Sequence, residues 1–339
     1  MPASEHVAII GNGAMATVCS IILVQNGHGC TIWGANAESI AKLKANRENT
    51  RLLAGARIPD SVRLTSDEAD AFEGATMIVS AIPTQYMRNA WDRLNDFVPA
   101  SVPIVSVSKG IENGTLLRPT EIIADVLGEI AMLNRPVAAL SGPNVATELA
   151  KYLPATAVVA SSDDSFARRV QAAFSTQWFR VYTNSDLIGV ELAGAMKNVI
   201  AIAAGILDGL GAGNNIKAAV VTRGLVEITR LGVAMGAEES TFAGLAGLGD
   251  LITTCVSPDG RNRSVGEQIG KGRALQAILE QSQSVAEGVP TTRSMVALAD
   301  KYNVDMPITR GVYTILFDGK DPRFALIDLM TRAPKPERL

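Results

Sequence analysis

"VAIIGNGAMATVCSIILVQNGHGCTIWG", residues 7–34, sets a glycine turn between an apolar strand and an apolar helix, then returns to a second strand at "CTIW". Gly11 permits the tight turn and Gly13 lets backbone approach a pyrophosphate. The free N–H groups of the helix's first turn supply donors for its negative charge. Ala16 takes the third glycine position, where a small side chain keeps helix and strand close. A bare glycine pattern is weak evidence. After a strand, opening a helix, and with a second strand about 20 residues on, it predicts a dinucleotide site.

The second strand ends in Gly34-Ala35-Asn36, with neither an acid to accept a ribose 2′-hydroxyl nor an arginine to favour a 2′-phosphate. Glu38 follows at an expected helix start, where an acid serves as a dipole partner. NAD and NADP both stay open.

Working outward, Val- and Ile-rich runs recur at "HVAII", "CTIW", "ATMIVSAI", "VPIVSVS", "VAALS", "ATAVVAS" and "FRVYT", separated mostly by helix-like stretches. Runs apolar on both faces and joined by helical crossovers predict an α/β domain, a Rossmann-type parallel sheet covered on both sides. After about Ser185 the strand runs stop, and segments such as "IKAAVVTRGLVEITRLGVAMG" and "ITRGVYTILF" carry apolar residues at helical spacing. The expected division is residues 1–186 and 187–339, the second part all helical.

The chain has 339 residues and a net charge of −3 with acids and bases interspersed, which argues against nucleic acid or an anionic membrane as partner. Small molecules are the expected partners. The N-terminus runs straight into "HVAIIGNG", so no secretory leader is expected. The longest apolar stretch, Leu187 to Leu207, contains Glu191, Lys197 and Asn198 and reads as a buried helix of a globular protein, not a bilayer span. Cys19, Cys30 and Cys255 form no CxxC pair and no even disulfide framework, which suits buried spectators in a reducing cytosol. No metal is called for.

Alcohol oxidation by a nicotinamide needs a base for the hydroxyl proton. The two histidines, His6 and His28, lie at the starts of strands, whereas ligands bind beyond the carboxyl ends. Lys197 is then the candidate. Its bland reading is a stem running along the core with the ammonium lifted to water. Three features oppose that reading. The helix follows the change from α/β to helical sequence, and boundaries between domains are common ligand sites. Ala193, Gly194, Ile200 and Ala201 stand three and four residues away, so no helical salt bridge accounts for the lysine. Asn198 adds a second polar group. Desolvation would draw such an amine toward acid-base work.

Lys109, past the fourth strand run, and Gly142 and Asn144 in "SGPNVATELA" fall at carboxyl edges of the expected sheet. Later, "GLAGLGDLITTCVSPDGRNRSVG" combines a glycine-rich turn, Asp250 and the triplet Arg261-Asn262-Arg263. An arginine beside an amide offers planar, charge-assisted donors to phosphate oxygens, although a basic loop is as often simply solvated.

Together "GNGAMA", "SKGIE", "SGPNVATELA", "ELAGAMKNVIAIAAGILDGLGAGNN", "GLAGLGDLITTC", "GRNRSVG" and "VAEG" resemble the bacterial-type NAD(P)-dependent glycerol-3-phosphate dehydrogenases, over nearly the whole chain. The resemblance implies reversible reduction of dihydroxyacetone phosphate to sn-glycerol 3-phosphate for phospholipid synthesis. It also implies a cytoplasmic homodimer and a helical C-terminal domain like that of 6-phosphogluconate dehydrogenase. By the same resemblance Lys197 moves the proton and Lys109 touches cofactor and substrate. Gly142, Asn144, Asp250, Gly260 and Asn262 line the substrate, and Arg261 bridges its phosphate and the cofactor. Ala14 and Met15 join Gly11 and Gly13 at the pyrophosphate, with Ala35, Ala146, Val285 and Glu287 as further cofactor contacts. Asn144 stands where the family has Ser or Thr, Gly260 where it has Ser, and Ala35 lacks the polar or basic side chain often found there. The residues alone leave two other readings: a related dehydrogenase of another small phosphate or acid, and a non-catalytic dinucleotide-binding regulator.

Overall fold

The computed structural model describes residues 4–128, 135–282, 285–334 and 336–337. The chain divides into two compact units: Met1–Lys109 with Arg118–Val190, and Gly110–Leu117 with Glu191–Leu339. The division expected at 186/187 differs from this one at the start of the long apolar helix and in the Gly110–Leu117 segment.

The first unit holds an eight-stranded sheet in the order β3-β2-β1-β4-β5-β6-β7-β8. Its strands are β1 (His6–Ile10), β2 (Gly29–Trp33), β3 (Arg63–Thr65), β4 (Met77–Ser80), β5 (Ile104–Ser106), β6 (Val137–Ser141), β7 (Ala155–Ala160) and β8 (Phe179–Asn184). β1 lies between β2 and β4, with Ile9 level with Ile32 on one side and Val79 on the other. Strand order reverses here, which makes the carboxyl ends of β1 and β4 the place for a ligand. Val7, Ile9, Ile32, Met77 and Val79 are buried on one face of the sheet and Ala8, Ile10 and Ile78 on the other, as the continuous apolar runs require.

Two features depart from the expected parallel sheet. β6 and β7 are antiparallel, because their connection carries only the four-residue helix Ala146–Leu149 and no crossover helix. β3 is an added edge strand of three residues, "RLT".

The described part of the second unit is helical. Its spine is the helix Leu187–Leu210, apolar and long enough to cross a membrane by composition, yet 89% of its apolar window is buried inside the protein. It packs against the helix Arg261–Gly270 backbone to backbone. A Cβ on Gly205 would lie 2.8 Å from Arg263 C, and one on Gly209 would lie 2.8 Å from Gly270 Cα. A Cβ on Gly266 would lie 2.9 Å from Ile202 C. Gly209 and Gly270 face each other across this crossing, and Gly205 and Gly266 face backbone, because no larger residue fits.

Candidate active site

In the first unit, the turn after β1 is built as its glycines demand. Gly11 has φ +118°, and a Cβ there would lie 2.6 Å from Ala81 O, so only glycine serves. A Cβ on Gly13 would meet nothing within 4 Å. That side of the turn is open to a ligand, and the backbone fits a pyrophosphate. Gly13 caps the helix Ala14–Gln25, whose first-turn residues Ala14 and Met15 are half-buried with N–H groups that have no helical acceptor. Ala16 is buried where helix and strand approach.

At the neighbouring strand ends, Lys109 Nζ donates to Gly142 O at 2.9 Å. Gly142 has φ +141°, and its would-be Cβ lies 3.0 Å from Ala157 Cα, so this position also requires glycine. The Asn144 amide, oriented with its nitrogen toward acceptors, donates to Thr156 O and Pro143 O at 3.2 Å. Ala146 opens the short helix after it. Ala35 is exposed just past β2.

In the second unit, Lys197 is 6% exposed and has found its acid far along the chain. Nζ lies 2.5 Å from Asp250 Oδ1 and 2.6 Å from Thr254 Oγ1, and the Thr254 hydroxyl donates to Asp250 O at 2.6 Å. The helix Asp250–Val256 presents both partners from one face, one turn apart, directly after a π-helical turn at Leu245–Gly249. The π turn is tight: a Cβ on Gly247 would lie 2.6 Å from Phe242 Cα. The apolar surroundings expected for Lys197 therefore contain a carboxylate that is 2% exposed. Burial disfavours an isolated ammonium, and Asp250 offsets that cost.

Arg261 and Asn262 begin the helix Arg261–Gly270, and both reach the segment before the helix Gly288–Lys301. Arg261 Nη1 donates to Val285 O at 3.2 Å, and Asn262 Oδ1 accepts from Gly288 N at 2.9 Å, with Glu287 next in line. Arg261 is exposed and Asn262 buried. Gly260 offers backbone only; a Cβ there would crowd Thr254 O at 3.0 Å and Ser257 O at 3.1 Å. Arg263 turns the other way, Nη1 to Asp208 Oδ2 at 2.6 Å and Nε to Ser257 O at 3.1 Å.

Thus Lys109 joins Gly142, Lys197 joins Asp250, and Arg261 and Asn262 join Val285 and Gly288. Thr254 and Asp208 were not singled out from sequence. For Thr254 a signal existed, since it stands four residues after Asp250. The histidines have structural partners: His6 Nε2 lies 3.0 Å from Thr31 Oγ1, and His28 Nδ1 accepts from Glu5 N at 3.1 Å. Burial pushes the thiols of Cys19, Cys30 and Cys255 up to about 12, so they stay protonated.

Both units have counterparts among known proteins. The model of the NAD-dependent glycerol-3-phosphate dehydrogenase N-terminus matches residues 6–167, and that of its C-terminus matches residues 186–327. The glycerol-3-phosphate dehydrogenase (NAD(P)+) of Citrifermentans bemidjiense is 48% identical over 334 residues, 98% of this chain and 99% of that protein. That of Streptomyces griseus is 46% identical over 334 residues, 98% of each. The crystal structure of glycerol-3-phosphate dehydrogenase from Coxiella burnetii aligns with a TM-score of 0.92 at 35% identity, over 97% of this chain and 99% of that one. With each half matched and the likeness running from end to end, the chain belongs to the NAD-dependent glycerol-3-phosphate dehydrogenase family.

Proposed function

We propose that this chain catalyses the reversible reduction of dihydroxyacetone phosphate to sn-glycerol 3-phosphate with NADH or NADPH. The observation that carries the reading is the buried Lys197–Asp250–Thr254 cluster, in a chain of this family. A nicotinamide supplies the hydride in ketone reduction and accepts it in alcohol oxidation. Lys197 gives a proton from Nζ to the carbonyl oxygen in reduction and takes the hydroxyl proton in oxidation. Asp250 balances the charge, and Thr254 fixes the direction of the amine.

Arg261 and the Asn262 amide receive the substrate phosphate, which favours planar, charge-assisted donors. Arg261 also reaches the cofactor. Lys109, Gly142, Asn144 and Gly260 complete the substrate contacts. Gly11, Gly13, Ala14 and Met15 cradle the pyrophosphate through backbone N–H groups. Ala35, Ala146, Val285 and Glu287 contact the rest of the cofactor, and Lys109 serves both ligands. Residues 1–186 act as the dinucleotide-binding domain and 187–339 as the substrate and proton-transfer domain. The protein works as a cytoplasmic homodimer and supplies glycerol 3-phosphate for phospholipid synthesis.

The test follows NADH and NADPH oxidation separately with dihydroxyacetone phosphate; no turnover with either refutes the reading. Lys197→Ala is expected to keep cofactor binding and lose roughly 10²–10⁴ in kcat. Turnover at the wild-type rate would return Lys197 to a structural role.

A further inference from the structure

The carboxyl end of β2 is where a dinucleotide's adenosine ribose is read: an acid accepts the 2′-hydroxyl, a cation accommodates a 2′-phosphate. This chain runs out of β2 through Gly34, Ala35 and Asn36 with neither. A cation arrives from another element. Arg93, in the last turn of the helix Thr84–Leu94, donates from Nη1 to Ala35 O at 3.0 Å, and its guanidinium lies over the Trp33 ring at 5.4 Å. Nε and Nη2 pair with Glu68, which fixes the plane of the fork. A guanidinium has five N–H donors. These bonds leave some of them unused on a side chain that is 44% exposed.

The surroundings suit an anion joined to the pyrophosphate turn. Asn36 Oδ1 accepts from Ser39 N at 2.7 Å, and Ser39 Oγ accepts from Asn12 Nδ2, in the glycine turn itself, at 2.9 Å. Gly34 allows that approach, since a Cβ there would lie 2.8 Å from Asn12 Cγ. Glu38, the one acid in the first turn of the helix Ala37–Asn46, is occupied by Lys42 at 2.7 Å. Trp33 Nε1, beneath Arg93, is buried with no hydrogen-bond partner among the described residues. It is an unused donor at the same strand end.

We propose that Arg93 takes the place of the β2-terminal residue in selecting the cofactor, binding the 2′-phosphate so that the chain holds NADPH more tightly than NADH. The proposal rests on the reading of this turn as the dinucleotide site. Glu68 acts as the positioning residue that keeps the free edge of Arg93 turned outward.

The experiment measures binding of NADPH, NADH, adenosine 2′,5′-bisphosphate and 5′-AMP to the wild type, Arg93→Ala and Arg93→Lys by calorimetry and nicotinamide fluorescence. The wild type is expected to favour NADPH. Arg93→Ala is expected to weaken NADPH and the bisphosphate about tenfold, as for a charge-assisted bond, while NADH and 5′-AMP change less than about twofold. Arg93→Lys keeps the charge but loses the fork, so its preference falls between the two. Should Arg93→Ala fail to fold, that intermediate preference carries the test. Equal or tighter NADH binding by the wild type overturns the proposal. So do parallel losses for both members of each probe pair, or an unchanged preference in Arg93→Lys. A protein that turns over dihydroxyacetone phosphate without such a preference refutes the role of Arg93 alone. One that prefers NADPH yet turns over nothing refutes the proposed reaction alone.

Discussion

Gly205→Ala is the sharpest perturbation of the second unit. Gly205 lies in the same helix as Lys197, and its missing Cβ points at Arg263, two residues after Arg261. A carbon there would stand 2.8 Å from Arg263 C, with Arg263 O closer still, whereas non-bonded carbons need about 3.5 Å, so the helices must part by more than about 0.7 Å. The obstruction is backbone and no rotamer change relieves it. Overpacking costs about 1–3 kcal/mol, and a further loss follows because a gap of this size forfeits a quarter or more of the neighbouring dispersion contacts. Alanine's better helix propensity returns about 1 kcal/mol. The net destabilisation is about 2 kcal/mol, seen as a fall of roughly 4–8 °C in Tm by circular dichroism. Arg261 and Asn262 ride on the displaced helix, so KM for dihydroxyacetone phosphate should rise at least about tenfold, given how steeply rates depend on sub-ångström placement. A Tm at or above the wild-type value, as for glycine in an open helix, together with an unchanged KM, would refute the close-crossing argument.

Asp208 accepts Lys217 Nζ at 2.8 and 2.9 Å as well as Arg263, so Asp208→Ala should lower the urea unfolding free energy by about 2 kcal/mol; a shift under about 0.5 kcal/mol would show the cluster to be ornamental. Glu227 is 3% exposed and accepts Ile308 N at 2.7 Å and Thr309 N at 3.1 Å at the start of the helix Pro307–Phe317; burial outweighs these bonds and pushes its carboxyl up from 4.5 to about 7. Its stabilising contribution is therefore complete below about 4.5 and lost as pH rises through about 7, a change of up to about 3 kcal/mol. Wild-type Tm should fall between pH 5 and pH 8, and an equal fall in Glu227→Gln would contradict the assignment. Burial holds His28 below its ordinary 6.5 against the pull of the Glu5 carboxylate, so its contribution is present above 6.5 and lost as pH falls through the lowered value. Imidazole NMR titration with a His28 midpoint at or above 6.5 would count against it.

The glycine turn was legible because its requirement is local: a positive φ at Gly11 and a close backbone approach are properties of one residue and its immediate neighbours. Strand directions were not. Apolar runs such as "VAALS" and "ATAVVAS" read the same in either sense, and only the short connection between β6 and β7 makes that pair antiparallel. β3 escaped notice because three residues beginning with an exposed arginine carry no run to detect. The charge partners were hidden for one shared reason. Asp250 is 53 residues from Lys197, Asp208 is 55 from Arg263, and Ala35 O is 58 from Arg93, while helical spacing rules reach four residues.

A lysine in a core helix, without an acid at helical spacing, invites a desolvation account in which apolar walls alone lower its proton affinity. The geometry points elsewhere. Val199, Ile200, Ala201 and Met196 on the same helix are indeed 0% exposed, but the ammonium end meets Asp250 and Thr254. A buried ion pair gives little net stability compared with apolar residues of the same volume, so packing gives no reason to place one here. Directional control does. Charge-assisted bonds of 2.5 and 2.6 Å restrain a side chain that otherwise has four rotatable bonds, and the restraint comes from one helix face immediately after a tightly packed π turn. Proton transfer to a carbonyl oxygen depends on such aim before it depends on acidity. On the proposed reaction, the buried helix keeps water from Lys197, and Asp250 and Thr254 set the line along which its proton would move.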